Sequence, residues 1–190
     1  MTPSAISVLE KGWMLTGAFW LLTAIGQKRA IYVESAEVSA RHGLAALAAF
    51  LLLLAPWTAI GPLGWQVTPQ WHWMDLAGLA IGVVGFAMAF WARTLLGGEW
   101  SSSVALKAGH RLITIGPYAW LRHPIYSGLL LAMVGTAIAG NQLRMYIAVP
   151  VAFCAFWYKS RLEERLLLQV MGAPYQQYQQ RTRAMIPGVL

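Results

Sequence analysis

Arg122 and His123 stand where a polar loop runs into an apolar segment, and Glu163 and Glu164 stand just past the end of the next one. Near hydrocarbon such groups are costly, several kcal/mol for an unpaired cation, so the Arg-His pair points to a ligand site before it points to packing. In full the clusters are Gly116-Pro117-Tyr118-Ala119-Trp120-Leu121-Arg122-His123-Pro124-Ile125-Tyr126-Ser127-Gly128 and Lys159-Ser160-Arg161-Leu162-Glu163-Glu164-Arg165. Between them the chain reads as a helix, a tight turn at Gly140-Asn141 and a helix back. That hairpin returns the second cluster to the side on which the first begins.

Several chemistries fall away. His42, His72, His110 and His123 have neither the i, i+4 pairing nor the cysteine partners of a zinc site, so no metal is expected. Ser101, Ser102 and Ser103 lack the Gly-x-Ser-x-Gly elbow of a hydrolase, and no Gly-x-x-x-x-Gly-Lys loop is present to cradle phosphates. A Gly-x-Gly-x-x-Gly following a strand is also missing, so any cofactor must sit against helices. The single cysteine, Cys154, lies in an apolar run and reads as a buried packing residue.

The elements that position these groups are membrane helices. The 190 residues are 58% hydrophobic and 11% charged, against about 25% charged in soluble domains. Apolar runs at 12–26, 43–63, 74–96, 124–139 and 144–158 predict an all-α, polytopic integral membrane bundle of about five transmembrane helices. A cytoplasmic C-terminal helix or tail follows. Only the second and third runs reach the roughly 20 residues a bilayer core demands. The first could dip into the membrane instead of crossing it, and Pro56 and Pro150 are expected to kink their helices. The segment 27–42 reads as a surface helix or coil. One membrane domain results, with N-terminal helices over 1–96 and a motif-bearing half over 97–190.

Five crossings place Lys28, Arg29, Arg41, Arg93, Lys107, Arg111, Arg122, Lys159, Arg161, Arg165, Arg181 and Arg183 on one side, and Lys11 and Arg144 on the other. The positive-inside rule then sets the motif loop and tail in the cytoplasm and the N-terminus outside, in an inner or cytoplasmic membrane. The net charge of +7 follows from this topology and from anionic headgroups, and no basic soluble module suggests nucleic acid. Lys11 follows Glu10, and the nearest small-residue cleavage pattern is too distant, so the start does not read as a signal peptide.

The run Leu96-Gly97-Gly98-Glu99-Trp100-Ser101, then Gly109-His110-Arg111-Leu112, Gly116-Pro117-Tyr118 and Arg122-His123-Pro124-Ile125-Tyr126-Ser127-Gly128 resembles the isoprenylcysteine carboxyl methyltransferases. The resemblance continues through Arg161-Leu162-Glu163-Glu164, Gly172, Tyr175, Tyr178, Arg181 and Pro187. It covers the last half of the chain, in the manner of a compact prokaryotic-type member; the first half resembles the family only as a hydrophobic bundle.

The resemblance implies S-adenosyl-L-methionine as cofactor, bound by His110, Gly116, Tyr118, Arg122, His123, Pro124, Tyr126, Gly128, Glu163 and Glu164. In that reading a glutamate takes the ammonium or ribose, and His110 or His123 bonds either end. Tyr118, Trp120 and Tyr126 offer faces to adenine or sulfonium, while Gly116, Pro124 and Gly128 let backbone approach the ligand. The implied acceptor is a carboxylate on a lipophilic or lipid-linked molecule, in the type case a prenylated cysteine, oriented by Arg122 and Arg181. N-methylation of a phospholipid headgroup amine is the alternative reaction, and a non-catalytic lipid-binding membrane protein the alternative of another class. Taken one by one, the same residues have plainer readings: a snorkelling arginine, a solvated Glu-Glu face, and Tyr175 and Tyr178 packing the tail.

Overall fold

A computed structural model of the chain describes residues 4–25, 30–69, 71–101, 104–107, 111–186 and 188. Serines begin the first two helices by capping: Ser4 accepts from the Ser7 amide ahead of α1 (Ala5–Ala24), and Ser35 from the Val38 amide ahead of α2 (Ala36–Leu54). α3 (His72–Leu96) stops at Gly97, whose φ of 51° is open to glycine without penalty. α4 (Pro124–Gly140) and α5 (Leu143–Met171) form the hairpin, turned by Asn141 in the left-handed region at φ 50°. α6 (Ala173–Arg181) packs back along the end of α5.

Three expectations are corrected. Pro56 does not kink the second helix: α2 ends at Leu54 and Pro56 starts a short 3-10 turn, because proline supplies no amide to continue the ladder. Pro150 does lie inside its helix, and α5 runs on for 29 residues straight through the Lys159–Arg165 cluster. The segment 27–42 holds a strand, β1 (Ala30–Val33), paired antiparallel with β2 (Ala105–Lys107), before α2 begins. This two-stranded sheet qualifies the all-α reading.

α3 and α4 meet backbone to backbone. A Cβ on Gly85 would lie 2.3 Å from the Ala132 amide nitrogen, one on Gly128 2.6 Å from that of Ala89, and one on Gly135 2.3 Å from that of Gly82. Small residues one turn apart let two helices approach this closely, a common solution where both faces must pack without water. Trp13 of α1 seals the seam by donating to the Thr136 hydroxyl at 2.9 Å.

Two arginines are spent inside the bundle. Arg144, expected among the loop charges, is buried and its Nη1 donates to the carbonyls of Leu52, Leu53 and Ala55, closing the carbonyl end of α2. Arg93, counted among the charges of the cytoplasmic side, is buried, donates to the Thr23 and Gly97 carbonyls and lies 4.4 Å from the centroid of the Trp100 ring. At the opposite end, Asn141 exchanges hydrogen bonds with Thr68 and fixes the turn. α2 and the run His72–Glu99 are long and apolar enough to cross a membrane, and α4 is apolar but shorter. Leu15, Leu22, Leu47, Leu76 and Val84 face outward, the pattern of a surface covered by lipid.

Candidate active site

Pro124 starts α4 immediately after His123, since its fixed φ suits the first helical position. Arg122 and His123 therefore sit on the last extended residues before the helix. The tail runs beside them: the Arg122 amide donates to the Arg183 carbonyl at 2.7 Å, the His123 amide to that of Ala184 at 2.9 Å, and the Ser127 hydroxyl to that of Met185 at 2.6 Å. Glu163 and Glu164 come from α5 beyond Tyr158, where the helix has left its apolar run. Adjacent helical residues point about 100° apart, so the two carboxylates serve different neighbours.

Glu164 is buried and saturated. Its oxygens accept from Arg122 Nε at 2.7 Å, Arg161 Nη1 at 3.3 Å and Gln179 Nε2 at 3.4 Å, and His123 Nε2 lies 3.2 Å away. Burial favours the neutral acid, but the donors His123 and Arg122 outweigh it and hold the pKa at about 2. Glu163 accepts from the Tyr126 hydroxyl at 2.7 Å, has His123 Nδ1 at 3.3 Å, and lines a cavity. Its pKa is lowered as well: burial opposes ionisation, and His123 and Lys159 prevail. Burial disfavours the His123 imidazolium, yet the two carboxylates on either side raise its pKa above the ordinary value.

The cavity holds about 860 Å³ of empty space including its open mouth. Of the expected site residues, Tyr118, Arg122, His123, Tyr126 and Glu163 line it. Glu164 stands behind them. Gly116, at φ 60° against Leu95 and Trp91, shapes the turn before Tyr118. Pro124 is a buried helix start, and Gly128 is used by the seam with α3 rather than by a ligand. Trp120 is 67% exposed, and Arg181 is exposed and does not line the cavity. His110, like Lys28, Arg29 and Pro187, lies outside the described residues, and no metal-binding cluster occurs among the described ones.

Glu99, Trp100 and Arg111, which sit in the motif runs but were not among the expected site residues, also line the cavity. Tyr175 and Tyr178 pack the tail as the plainer reading had it, and line the cavity too; the Tyr178 hydroxyl donates to the Tyr118 carbonyl at 2.8 Å. Cys154 is exposed on α5, not buried.

A largely helical chain with one acid-lined cavity where its helix ends converge matches the architecture of a solved eukaryotic intramembrane methyltransferase. That structure, of the Ras methyltransferase ICMT, superposes with a TM-score of 0.59 at 26% identity, over 78% of this chain and 53% of the other. The model of the isoprenylcysteine carboxyl methyltransferase (ICMT) family matches residues 78–169. Protein-S-isoprenylcysteine O-methyltransferase of Tribolium castaneum is 33% identical over 61% of this chain and 42% of its own length. Enzyme B of that name from Arabidopsis thaliana is 27% identical over 92% and 87%, and the Homo sapiens enzyme 24% over 88% and 59%. In sequence over residues 78–169 and in fold, the chain is similar to the isoprenylcysteine carboxyl methyltransferases. It spans less than two thirds of the beetle and human relatives and most of the plant one.

Proposed function

We propose that this protein transfers a methyl group from S-adenosyl-L-methionine to the carboxylate of a lipophilic acid resembling an isoprenylcysteine, at a membrane surface. The observation that carries the reading is Glu163: a buried-side carboxylate held ionised by His123, aimed into an open cavity in the family-matched stretch.

The residues present suit the cofactor. Glu163 matches its ammonium, Tyr118 and Trp100 offer ring faces, and the apolar wall of Ile113, Leu166 and Leu167 suits its methylene chain. The cofactor supplies a methyl already activated on sulfonium. What the protein must add is alignment and exclusion of water. Arg122, His123 and Glu164 keep the wall rigid, and His123 fixes the direction of Glu163 by its second nitrogen. An acceptor carboxylate is ionised near neutral pH and requires no general base. Bound S-adenosyl-L-methionine would supply the methyl and keep the electron pair of the broken carbon–sulfur bond, so no residue of this chain would need to move a proton.

In this reading five helices cross an inner or cytoplasmic membrane, with the N-terminus outside, residues 1–96 as the membrane-anchoring half and 97–190 as the cofactor-binding half. The cavity faces the cytoplasm, where the water-soluble donor is found. The test is a lipid-extract assay with radiolabelled methyl donor followed by base. Methyl esters release volatile methanol; label that resists base shows amine methylation, and no label in any lipid fraction or added prenylcysteine overturns the enzymatic reading.

A further inference from the structure

Glu99, Trp100, Ser101 and Val104 line the cavity from beyond the end of α3, where no α-helix carries the backbone. A wall of this kind needs support from outside if it is to hold a ligand in one geometry. At its near end Arg93 supplies that support, through the Gly97 carbonyl and the face of the Trp100 ring. At its far end the support comes from Glu34, which stands between β1 and α2, outside the motif-bearing half of the chain.

Glu34 extends the ladder of β1 and β2 by one pair and then closes it. Its amide donates to the Val104 carbonyl at 2.9 Å, and its Oε1 accepts from the Val104 amide at 3.0 Å. One residue thus takes both backbone groups of Val104, a buried member of the wall. His42 of α2 backs the same oxygen, with Nε2 at 2.7 Å. The side chains of Glu34 and His42 are 5% and 6% exposed, and among the described residues the buried Glu34 Oε2 has no hydrogen-bond partner. A buried carboxyl group with one oxygen unserved is a poor device for stability, since apolar side chains of similar volume often do as well or better. What this one delivers is the placement of Val104.

We propose that Glu34 is a positioning residue for cofactor binding: it acts through Val104 and holds the far end of the cavity wall in the geometry that receives the ligand. The inference rests on the cofactor reading above, and it gives the first half of the chain a part in the site beyond anchoring. A wall already in place need not be ordered when the ligand arrives, so loss of the support falls on affinity.

The test compares variants in detergent by calorimetry with S-adenosylhomocysteine, by thermal unfolding and by hydrogen–deuterium exchange. Glu34→Leu combined with His42→Leu removes both polar partners at once, which leaves neither stranded. This double variant should exchange faster over residues 104–107 and bind S-adenosylhomocysteine about tenfold more weakly, the cost of fixing the backbone of one residue on binding. Glu34→Gln keeps an oxygen for the Val104 amide and should return both measurements to near the wild type. Arg144→Met is the control: it uncaps α2 at the other end of the bundle, so it should lower Tm and leave affinity unchanged. Wild-type exchange over 104–107 in the double variant, or faster exchange there with wild-type affinity, overturns the proposal. So does a Glu34→Gln as weak as the double variant, or an equal loss of affinity in Arg144→Met. A wild type that takes no S-adenosylhomocysteine overturns the cofactor reading and this role with it, whereas binding by the wild type with none of these losses overturns the role alone.

Discussion

Arg122 Nε donates to Glu164 Oε1 at 2.7 Å, with side chains 11% and 4% exposed. Around that bond the start of α4, the end of α5, α6 and the tail are drawn together, since the same guanidinium also holds the carbonyls of Gln179 and Thr182. Of the two adjacent glutamates, Glu164 is thus spent in this junction while Glu163 lines the cavity.

Glu164→Gln should therefore cost stability. Removing one partner of a buried pair leaves the other uncompensated, at about 3–5 kcal/mol. Thermal unfolding in detergent should show a lowered Tm. Because the Glu164 pKa is depressed to about 2, its contribution is present above the ordinary carboxylate range and is lost as pH falls towards that value. A Tm equal to that of the wild type at neutral pH would return Glu164 to a solvated face.

Glu163→Gln should act on the ligand. Its carboxylate lines the cavity, so S-adenosylhomocysteine binding should weaken by about 1.5–3 kcal/mol, the range for a hydrogen bond to a charged group. Calorimetry of the two variants side by side is the measurement. Equal loss of affinity in both would deny the division of labour.

His123 lies between the two carboxylates and its pKa is raised, so the stability it contributes is fully present below about pH 6.5, its unfolded value, and is lost as pH rises through the folded one. The Tm gap between wild type and His123→Gln should be widest in mild acid and narrow in alkali. A gap independent of pH would mean that the imidazole is neutral throughout.

Arginine geometry gives a fourth expectation. Arg122→Lys should lower Tm and turnover together, because an ammonium cannot serve Glu164 and two carbonyls in one plane. Arg181→Lys should change stability by less than about 0.5 kcal/mol and leave turnover intact. Loss of turnover in Arg181→Lys with unchanged cofactor affinity would restore it as the acceptor's cation.

Orientation can be read by labelling. In a Cys154→Ala background, needed because that thiol is exposed, Gln66→Cys should react with an impermeant reagent from outside the cell and Gln177→Cys only after lysis. Reaction of both from outside would overturn the cytoplasmic placement of the site.

Arg122-His123-Pro124 and Glu163-Glu164 were legible because ionisable types at the edges of apolar runs are rare and their spacing implied a hairpin. The structure brings them within hydrogen-bonding distance. The burial of Arg144 and Arg93 was not legible because their partners include backbone carbonyls of other helices, which carry no residue signature. Gly128 was assigned to a ligand for a related reason: absence of a Cβ permits a close approach, and the sequence is silent on what approaches. β1 and β2, at four and three residues, are too short to show periodicity. The full length of α5 was hidden because hydropathy falls at Lys159 while helical hydrogen bonding continues.

α5 also acts as a ruler. Glu163 comes twenty residues after Leu143, the first residue of the helix (163 − 143 = 20), and at about 1.5 Å per residue that is about 30 Å along its axis, the thickness of the hydrocarbon core. In the proposed topology one continuous rod would run from the far turn to the carboxylates and set their depth. In a thicker bilayer the glutamates would be drawn towards oil, and in a thinner one lifted into water. Membrane thickness would then bear on where the proposed donor and acceptor meet, alongside anything encoded in the side chains of the cavity.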